Sequence, residues 1–384
     1  MWRSTTKRFE EFYFVSRSLT PISLTIYFLF LGLIFAQKPS ILEIGFKPFN
    51  SKPYLTPTPS PTNSININWN TKDKESTIVA YGLTCSLEDT AKIRDVRNFH
   101  HIRLTNLLPA TEYFYRVLPD GDLKSFKTFP VHTDTFSFIA FGDTRSDSAA
   151  HQSVVNRIAK YAFDLILHSG DLVNRGDDAI DWRTFFNIED TLLQSKHFLA
   201  TIGNHEHPYW AYDTLFSLPG AEYFYSLNYG NAHFIMLNTE MDLYVPQKNW
   251  LINDLITARS DTSIDWIFVN LHRPPYSSGS HGSAQDVKKA YCSILSEYGV
   301  DIVFCGHDHS YERTSKIDGV VYIVTAGGGA PLYEVDKSDW TVKSKSIHHF
   351  CLVKIMGRKL ILKAIAADGK IFDSLILDKS PGIK

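Results

Sequence analysis

The chain has 384 residues, more than a single hydrophobic core usually supports, so its length predicts two domains. A formal net charge of -2, from 39 basic and 41 acidic side chains, excludes the strongly basic surface with which proteins bind nucleic acid backbones. The composition is 44% hydrophobic and 14% aromatic, which excludes a mostly disordered chain.

The N-terminal segment has the layout of a secretory signal. Basic residues such as Lys7 and Arg8 precede a mostly apolar run, residues 22–36. The run is shorter than the roughly 20 apolar residues that span a membrane, and Ala36 offers a small residue for cleavage. We expect residues 1–36 to be a signal peptide or, alternatively, an uncleaved membrane anchor. Either reading predicts a secreted, periplasmic or cell-surface protein.

Four cysteines are scattered through the chain, namely Cys85, Cys292, Cys305 and Cys351. Their spacing matches neither a disulfide framework nor a thiolate metal site. We expect small, buried, hydrophobic side chains at these positions, although an exported protein could pair two of them.

A proline-rich stretch, residues 51–63, leads into segments with strand periodicity. Apolar and polar residues alternate from Ile65 to Trp69, and this period recurs in further segments up to Phe129. Several short strands within one region predict an all-β sandwich, which we assign to residues 51–131.

The pattern changes at Thr135, where a second domain begins. Nearly continuous apolar runs, the first of them Phe136 to Phe141, alternate with stretches of helical spacing. From Phe350 to Leu377 the pattern returns to hairpin-like alternation. We predict a layered α/β domain over residues 132–384 with antiparallel strands at its end.

Polar clusters directly follow five of these apolar runs. Ligands of layered α/β folds bind at the carboxyl ends of strands, so we expect the clusters to meet. A single Gly-Asp pair is ordinary turn chemistry, but a series of such clusters predicts one shared site. The clusters are Gly142–Arg145, Gly170–Asp171, Gly203–Glu206, Leu271–His272 and Gly306–His309.

The residue types in these clusters indicate a metal centre. Histidine nitrogens with carboxylate and amide oxygens suit Zn, Mn, Fe or Co and differ from a cysteine-based structural zinc site. Two metal ions about 3.5 to 4 Å apart can share one carboxylate and clamp the attacking and leaving oxygens of a phosphoryl transfer. We predict that Asp171 is this shared carboxylate.

At these residues the chain resembles the purple acid phosphatases of the calcineurin-like metallophosphoesterase superfamily. The motifs stand in the family's order at Asp143, His168–Asp171, Gly203–Glu206, His272 and Gly306–Arg313. The resemblance covers most of the chain from residue 51 onward, because the sandwich resembles the fibronectin type III-like domain that these enzymes often carry. It implies that the second domain is a four-layer β-sandwich flanked by helices.

The resemblance also implies the ligands of two metal ions. Three residues would hold the first ion and four the second, with Asp171 shared between them. Where the purple enzymes have a tyrosine ligand to ferric iron, this chain has Asn174, which argues against a ferric-tyrosinate centre and leaves Fe, Zn and Mn as candidates. The implied ligands are Asp143, Asp171 and His309 for the first ion and Asp171, Asn204, His272 and His307 for the second.

Three further residues are candidates for contact with substrate. Arg145 can grip a phosphate through its planar guanidinium, the alternative being a surface salt bridge. His205 can bind the phosphate or protonate the leaving oxygen. His281 lies in a loop where the family keeps a substrate-facing histidine, and an exposed loop residue is the alternative.

Other motif residues are predicted to support the site. Glu206 is expected to fix a ligand histidine, and His168 to be a hydrogen-bonded core residue. Tyr311–Arg313 are expected to anchor the loop behind His309.

The leading functional prediction is hydrolysis of small phosphate monoesters by a metal-bridging hydroxide, as in acid phosphatases. The alternatives are a phosphodiesterase that uses the same site, an exported binding protein with an inert metal domain, and a closed structural or storage metal site. A nucleic acid partner is not expected at this net charge.

Overall fold

A computed structural model describes residues 45–220, 223–241 and 244–379. The predicted signal peptide or anchor, residues 1–36, lies outside this range. Among the described residues, no helix combines the length and apolar character needed to cross a membrane.

The first domain is an antiparallel sheet folded on itself. The first half of β2 pairs with β1 and its second half pairs with β4. Strand β3 pairs with both halves of β2, and the register of this pairing shifts between Asn70 and Glu75. Apolar side chains from both halves, such as Ile67 and Tyr115, share one core, which confirms the predicted all-β sandwich. Its likeness to fibronectin type III stays a prediction. The strands are β1 (Tyr54–Thr56), β2 (Ile65–Gly82), β3 (Asp89–Leu104), β4 (Glu112–Val117) and β5 (Lys124–Lys127).

The second domain contains two further sheets. In chain order its strands are β6 (Thr135–Phe141), β7 (Leu165–His168), β8 (His197–Ala200), β9 (Tyr225–Tyr229), β10 (Ala232–Met236), β11 (Trp266–Leu271), β12 (Ile302–Cys305), β13 (Tyr311–Ile317), β14 (Val320–Thr325), β15 (Thr341–Lys345), β16 (His349–Met356), β17 (Lys359–Ala366) and β18 (Ile371–Asp378). One sheet has the order β18-β17-β16-β6-β7-β8, and the other has the order β15-β13-β14-β12-β11-β10-β9. Both mix parallel and antiparallel pairs, and the expected antiparallel strands β16, β17 and β18 close the chain.

Helices complete the second domain. The side chain of Asp147 caps the first of them by accepting hydrogen bonds from the backbone N–H groups of Ala149 and Ala150. The helices are α1 (Ser148–Ile158), α2 (Ala179–Leu193), α3 (Trp210–Leu215), α4 (Tyr244–Ser260) and α5 (Gln285–Glu297), and a 3-10 turn covers Asn204–Glu206.

The two sheets pack face to face through aromatic side chains. The ring of Phe138 on β6 lies 5.2, 5.1 and 5.9 Å, centroid to centroid, from Phe234, Phe268 and Phe304 of the other sheet. Helices α4 and α5 cover the outer face of that second sheet, and α1 contacts β16 of the first. The result is the predicted four-layer arrangement of two sheets between helices.

The sandwich is hydrogen-bonded to the segment that follows the predicted ligand Asn204. The Thr56 hydroxyl donates to the Ser217 carbonyl at 2.6 Å, and the His101 ring donates to the Thr214 carbonyl at 2.8 Å. The first domain is therefore attached to the second domain at the end of α3 and just after it.

The cysteine expectation holds only in part. Cys305 and Cys351 are buried, whereas Cys292 is half-buried and Cys85 is exposed. The expectation of burial is wrong for Cys85, because it lies in the turn between β2 and β3, at the surface.

The aromatic packing between the sheets gives a stability prediction. Phe138→Ala should lower the free energy of unfolding by about 3 to 5 kcal/mol, because it leaves a cavity in a closed interface. Urea denaturation of the full chain measures the change. The matched control is Ile376→Ala, at a side chain 59% exposed on β18, which should change the free energy by less than about 0.5 kcal/mol. Equal effects of the two substitutions would contradict this account of the interface.

Candidate metal centre

The strand ends bring the predicted ligands to one edge of the two sheets. Strands β6, β7 and β8 run parallel, as do β10, β11 and β12, and the ligand loops leave from their carboxyl ends. Asp143, Asp171 and His307 have backbone φ angles of 58°, 55° and 73°. Such left-handed conformations cost non-glycine residues on the order of 1 to 3 kcal/mol and cluster at functional sites.

Two glycines in the motifs are required by close approach of the ligand side chains. A Cβ atom at Gly203 would lie 2.2 Å from Asp171 Oδ1, and one at Gly306 would lie 2.6 Å from Asp143 Oδ2. Both added atoms would also meet the His272 ring, at 2.9 and 2.8 Å. These glycines therefore make room for the site, in addition to any turn they permit.

The ligands predicted for the second ion surround one nitrogen of His272. Its Nδ1–H donates to the Ser169 carbonyl at 2.8 Å, which leaves a lone pair on Nε2. From that nitrogen, Asn204 Oδ1 is 3.1 Å away, His307 Nδ1 3.2 Å and Asp171 Oδ1 3.4 Å. Two acceptors, His272 Nε2 and Asn204 Oδ1, face each other directly, an arrangement that a cation between them would stabilise.

Two ligands predicted for the first ion, His309 and Asp143, lie next to each other, and Asp143 also lies close to Asp171 and His272. The Nδ1–H of His309 donates to the Pro331 carbonyl at 2.7 Å, so Nε2 carries a lone pair, and it lies 3.6 Å from Asp143 Oδ1. Asp171 Oδ1 lies 3.4 Å from His272 Nε2, and Oδ2 lies 3.1 Å from the Arg145 guanidinium, which also bonds His309. This geometry suits the predicted shared carboxylate, and oxygen and nitrogen donors of this kind fit Zn, Mn or Fe.

Burial controls the charge of these groups. Burial and the neighbouring Asp171 carboxylate raise the pKa of Asp143 well above its usual range. Burial also lowers the pKa of His307 to about 2 and that of His309 to about 4. His307 and His309 are therefore neutral at neutral pH, the form that binds metal ions, and a cation would relieve the repulsion between the two carboxylates.

The predicted substrate residues His205 and His281 lie beside the ligands. The backbone N–H of His205 donates to Asp171 Oδ1 at 3.0 Å, and its ring Nδ1–H donates to the Asn174 carbonyl at 2.7 Å. Its Nε2 then faces Asp171 Oδ2 at 3.9 Å. The exposed ring of His281 stacks on His307 with centroids 4.3 Å apart.

Arg145 lies among the ligands and is only 11% exposed. Its Nε donates to Asp171 Oδ2 at 3.1 Å, and its Nη2 donates to His309 Nε2 at 3.2 Å. The structure thus shows an ion pair at the ligand cluster and not the surface salt bridge given as an alternative.

Two residues at the site were missed by the sequence analysis. Arg273 places Nη1 3.1 Å from His307 Nε2 and pairs with Glu240 at 2.8 Å, while the Tyr333 ring stacks on His309 with centroids 4.1 Å apart. The available signals were proximity to a ligand for Arg273, which directly follows His272, and the preceding glycine run for Tyr333.

Glu206 has a different role from the predicted one. Its carboxylate accepts hydrogen bonds from the backbone N–H groups of Asp171, Leu172 and Gly203 at 2.7 to 2.9 Å. The expectation that it fixes a ligand histidine is wrong, because its oxygens are used by the turns that carry Asp171 and Asn204.

The other supporting residues lie as expected. Arg313 donates two hydrogen bonds to Asp373, at 2.7 and 2.9 Å, and the Tyr311 hydroxyl donates to the same carboxylate at 2.7 Å. These bonds tie the segment after His309 to β18. His168 is buried, lies 3.3 Å from the Thr144 hydroxyl and has its pKa lowered by burial, as for a neutral core residue.

Sequence comparison identifies both domains. The calcineurin-like phosphoesterase family matches residues 136–311, and the N-terminal domain of purple acid phosphatases matches residues 51–139. The chain belongs to the purple acid phosphatase-like metallophosphoesterases. Purple acid phosphatase 21 of Arabidopsis thaliana is 31% identical over 257 matched positions, and the match covers 60% of this chain and 58% of that protein. Phosphoenolpyruvate phosphatase of Allium cepa is 27% identical over 262 matched positions, and the match covers 61% of this chain and 54% of that protein.

Two solved structures share the fold of this chain. The purple acid phosphatase PPD1 from Lupinus luteus seeds superposes with a TM-score of 0.75 at 19% identity, covering 86% of this chain and 74% of that one. PhoD superposes with a TM-score of 0.63 at 14% identity, covering 86% of this chain and 90% of that one. The chain spans 58% and 54% of the length of the two curated relatives named above.

The buried histidines predict a pH-dependent stability of the metal-free protein. The pKa of His309 is about 4 in the folded state, below its ordinary value of 6.5. The contribution of neutral His309 to the free energy of unfolding is therefore fully present above pH 6.5. It is lost as the pH falls from 6.5 toward 4, because the unfolded chain then binds the extra proton. Between pH 7 and pH 5 this residue should account for about 1 to 2 kcal/mol of the lost free energy of unfolding.

Urea denaturation in the presence of EDTA at the two pH values tests this term. The His309→Gln variant should lose less stability on acidification than the parent protein. His132→Gln, at an exposed position, is the matched control and should follow the parent. An unchanged pH dependence in His309→Gln would refute the assignment.

Proposed function

We propose that the chain hydrolyses phosphate esters, monoesters in particular, with metal ions at two positions that share Asp171. The observation that carries this proposal is the division of the Asp171 carboxylate, with Oδ1 3.4 Å from His272 Nε2 and Oδ2 bonded to Arg145, whose guanidinium also bonds His309. Family membership supports the same reaction class. Fe, Zn and Mn are the candidate metals, since the donors are nitrogen and oxygen.

Bound metal ions would supply positive charge to the phosphoryl oxygens and lower the pKa of water in the site. The protein's own residues would orient the substrate and exchange protons with it. The bond from His205 Nδ1 to the Asn174 carbonyl leaves Nε2 as the atom that can meet a substrate oxygen. In its protonated form, His205 would donate the Nε2 proton to the leaving oxygen.

His281 and Asn174 shape the rest of the proposed site. His281 is exposed above His307, where it can hydrogen-bond to a substrate phosphate from the solvent side. Asn174 stands where the purple enzymes carry tyrosine, and its Oδ1 accepts a hydrogen bond from the Ser146 hydroxyl at 3.1 Å. We therefore propose a centre without ferric-tyrosinate colour.

The place of action is proposed from the N-terminal sequence. Basic residues followed by the apolar run 22–36 favour export, with secretion, a periplasmic location or cell-surface anchoring as the outcomes. The substrate is proposed to be a small phosphate ester, and the relative named phosphoenolpyruvate phosphatase supports this substrate class.

Removal of the shared carboxylate tests the proposed function. Asp171→Asn should lower both bound metal and p-nitrophenyl phosphate hydrolysis, the latter by at least about a hundredfold, and His307→Ala should do the same. Elemental analysis and steady-state kinetics measure the two effects. Asp177→Asn, at a surface carboxylate paired with Arg175, is the control and should match the parent.

A parallel assay with bis-p-nitrophenyl phosphate separates the two ester classes. Faster turnover of the diester would replace the monoesterase by a phosphodiesterase with the same site. Bound metal without hydrolysis of either ester would refute the catalytic proposal and favour a binding protein.

If His205 protonates the leaving oxygen, the effect of its substitution on kcat should depend on the basicity of the leaving group. His205→Gln should lower kcat by about 10² to 10⁴ for phenyl phosphate and less for p-nitrophenyl phosphate, because a weakly basic leaving oxygen needs less protonation. Bound metal should not change. His207→Gln, at the neighbouring exposed histidine, is the control. An equal loss on both substrates would rule out proton donation by His205.

A further inference from the structure

Arg145 occupies the space between two ligands of the first metal position. Its guanidinium bonds both Asp171 Oδ2, at 3.1 Å, and His309 Nε2, at 3.2 Å. These are atoms that a metal ion at this position would use. Because an arginine side chain stays charged, the position already holds one positive charge in the metal-free chain.

A hydrogen-bonded chain holds the guanidinium in place. Arg145 Nη1 donates to the Ser146 hydroxyl at 3.2 Å, and that hydroxyl donates to Asn174 Oδ1 at 3.1 Å. Asn174 therefore supports the arginine through Ser146.

At the second position, no arginine of the described part of the chain lies between the ligand atoms. Arg273 contacts His307 only at Nε2, whereas the nitrogen facing His272 is Nδ1. Its carboxylate partner is Glu240, outside the ligand set. An ion can therefore approach the second position without displacing a charged group from between the ligands.

The guanidinium has a place to move when an ion enters. A cavity of about 90 Å³ adjoins Arg145 and is lined in part by Ser146, Asn174 and Asp181. Asp181 would offer a carboxylate to the displaced side chain.

We propose that Arg145 acts as a built-in counter-cation that makes metal loading sequential. The second position binds its ion first and with the higher affinity. The first position binds its ion with lower affinity, because that ion must displace the Arg145 guanidinium. This inference rests on the two metal positions of the proposed function and adds to it a control of their occupancy.

Isothermal titration calorimetry of the full chain with Mn²⁺, after EDTA treatment, tests this order of loading. The parent protein should bind one ion tightly and a second about tenfold or more weakly. Arg145→Ala should strengthen the weaker step by about tenfold or more, because the competing charge is gone. Arg145→Lys, which keeps a charge but loses the planar fork, should fall between the two.

The matched control is Arg175→Ala, which removes an exposed guanidinium paired with Asp177 and should titrate like the parent. Circular dichroism and thermal unfolding check that each variant is folded. Two equally tight ions in the parent, or an unchanged weak step in both Arg145 variants, would overturn the inference and leave the proposed function standing. A parent protein that binds no Mn²⁺, Zn²⁺ or iron would overturn both.

Discussion

Two carboxylates, Asp143 and Asp171, are buried next to each other where two β-sheets end, and the rest of the site is arranged around their charge. Neighbouring buried carboxylates repel each other and lose hydration, so they require positive charge or donors nearby. The structure supplies backbone N–H groups to Asp143 from His307, to Asp171 from His205, and the guanidinium of Arg145. Metal ions are the other source of positive charge that the same atoms can accept.

The scaffold holds these charges with little freedom to relax. The ligands directly follow strand ends, and three of them have left-handed backbone conformations. The ligand side chains lie so close to Gly203 and Gly306 that neither position has room for a Cβ atom. Glu206 braces the turn of Asp171, and the first domain bonds to the segment after Asn204. Such rigidity preserves ligand geometry, which metal-assisted hydrolysis depends on.

Three residues form a connected group beside the ligands. Ser146 links Asn174 to Arg145, and Arg145 bonds Asp171 and His309. The second position keeps its four predicted ligands side by side. The two halves of the site are therefore unequal, although Asp171 serves both.

The sequence alone predicted the layered α/β domain, the all-β domain before it and the candidate ligands, because each candidate ligand lies in a short motif directly after an apolar strand, whereas Arg273 and Tyr333 lie outside those motifs. Only the tertiary structure decided which side chains contact each other over long sequence separations. Arg145 and His309 are 164 positions apart, and Glu206 reaches back 35 positions to the Asp171 amide. No local period or turn signal encodes such contacts, because side-chain direction at a loop end depends on the packing of distant strands.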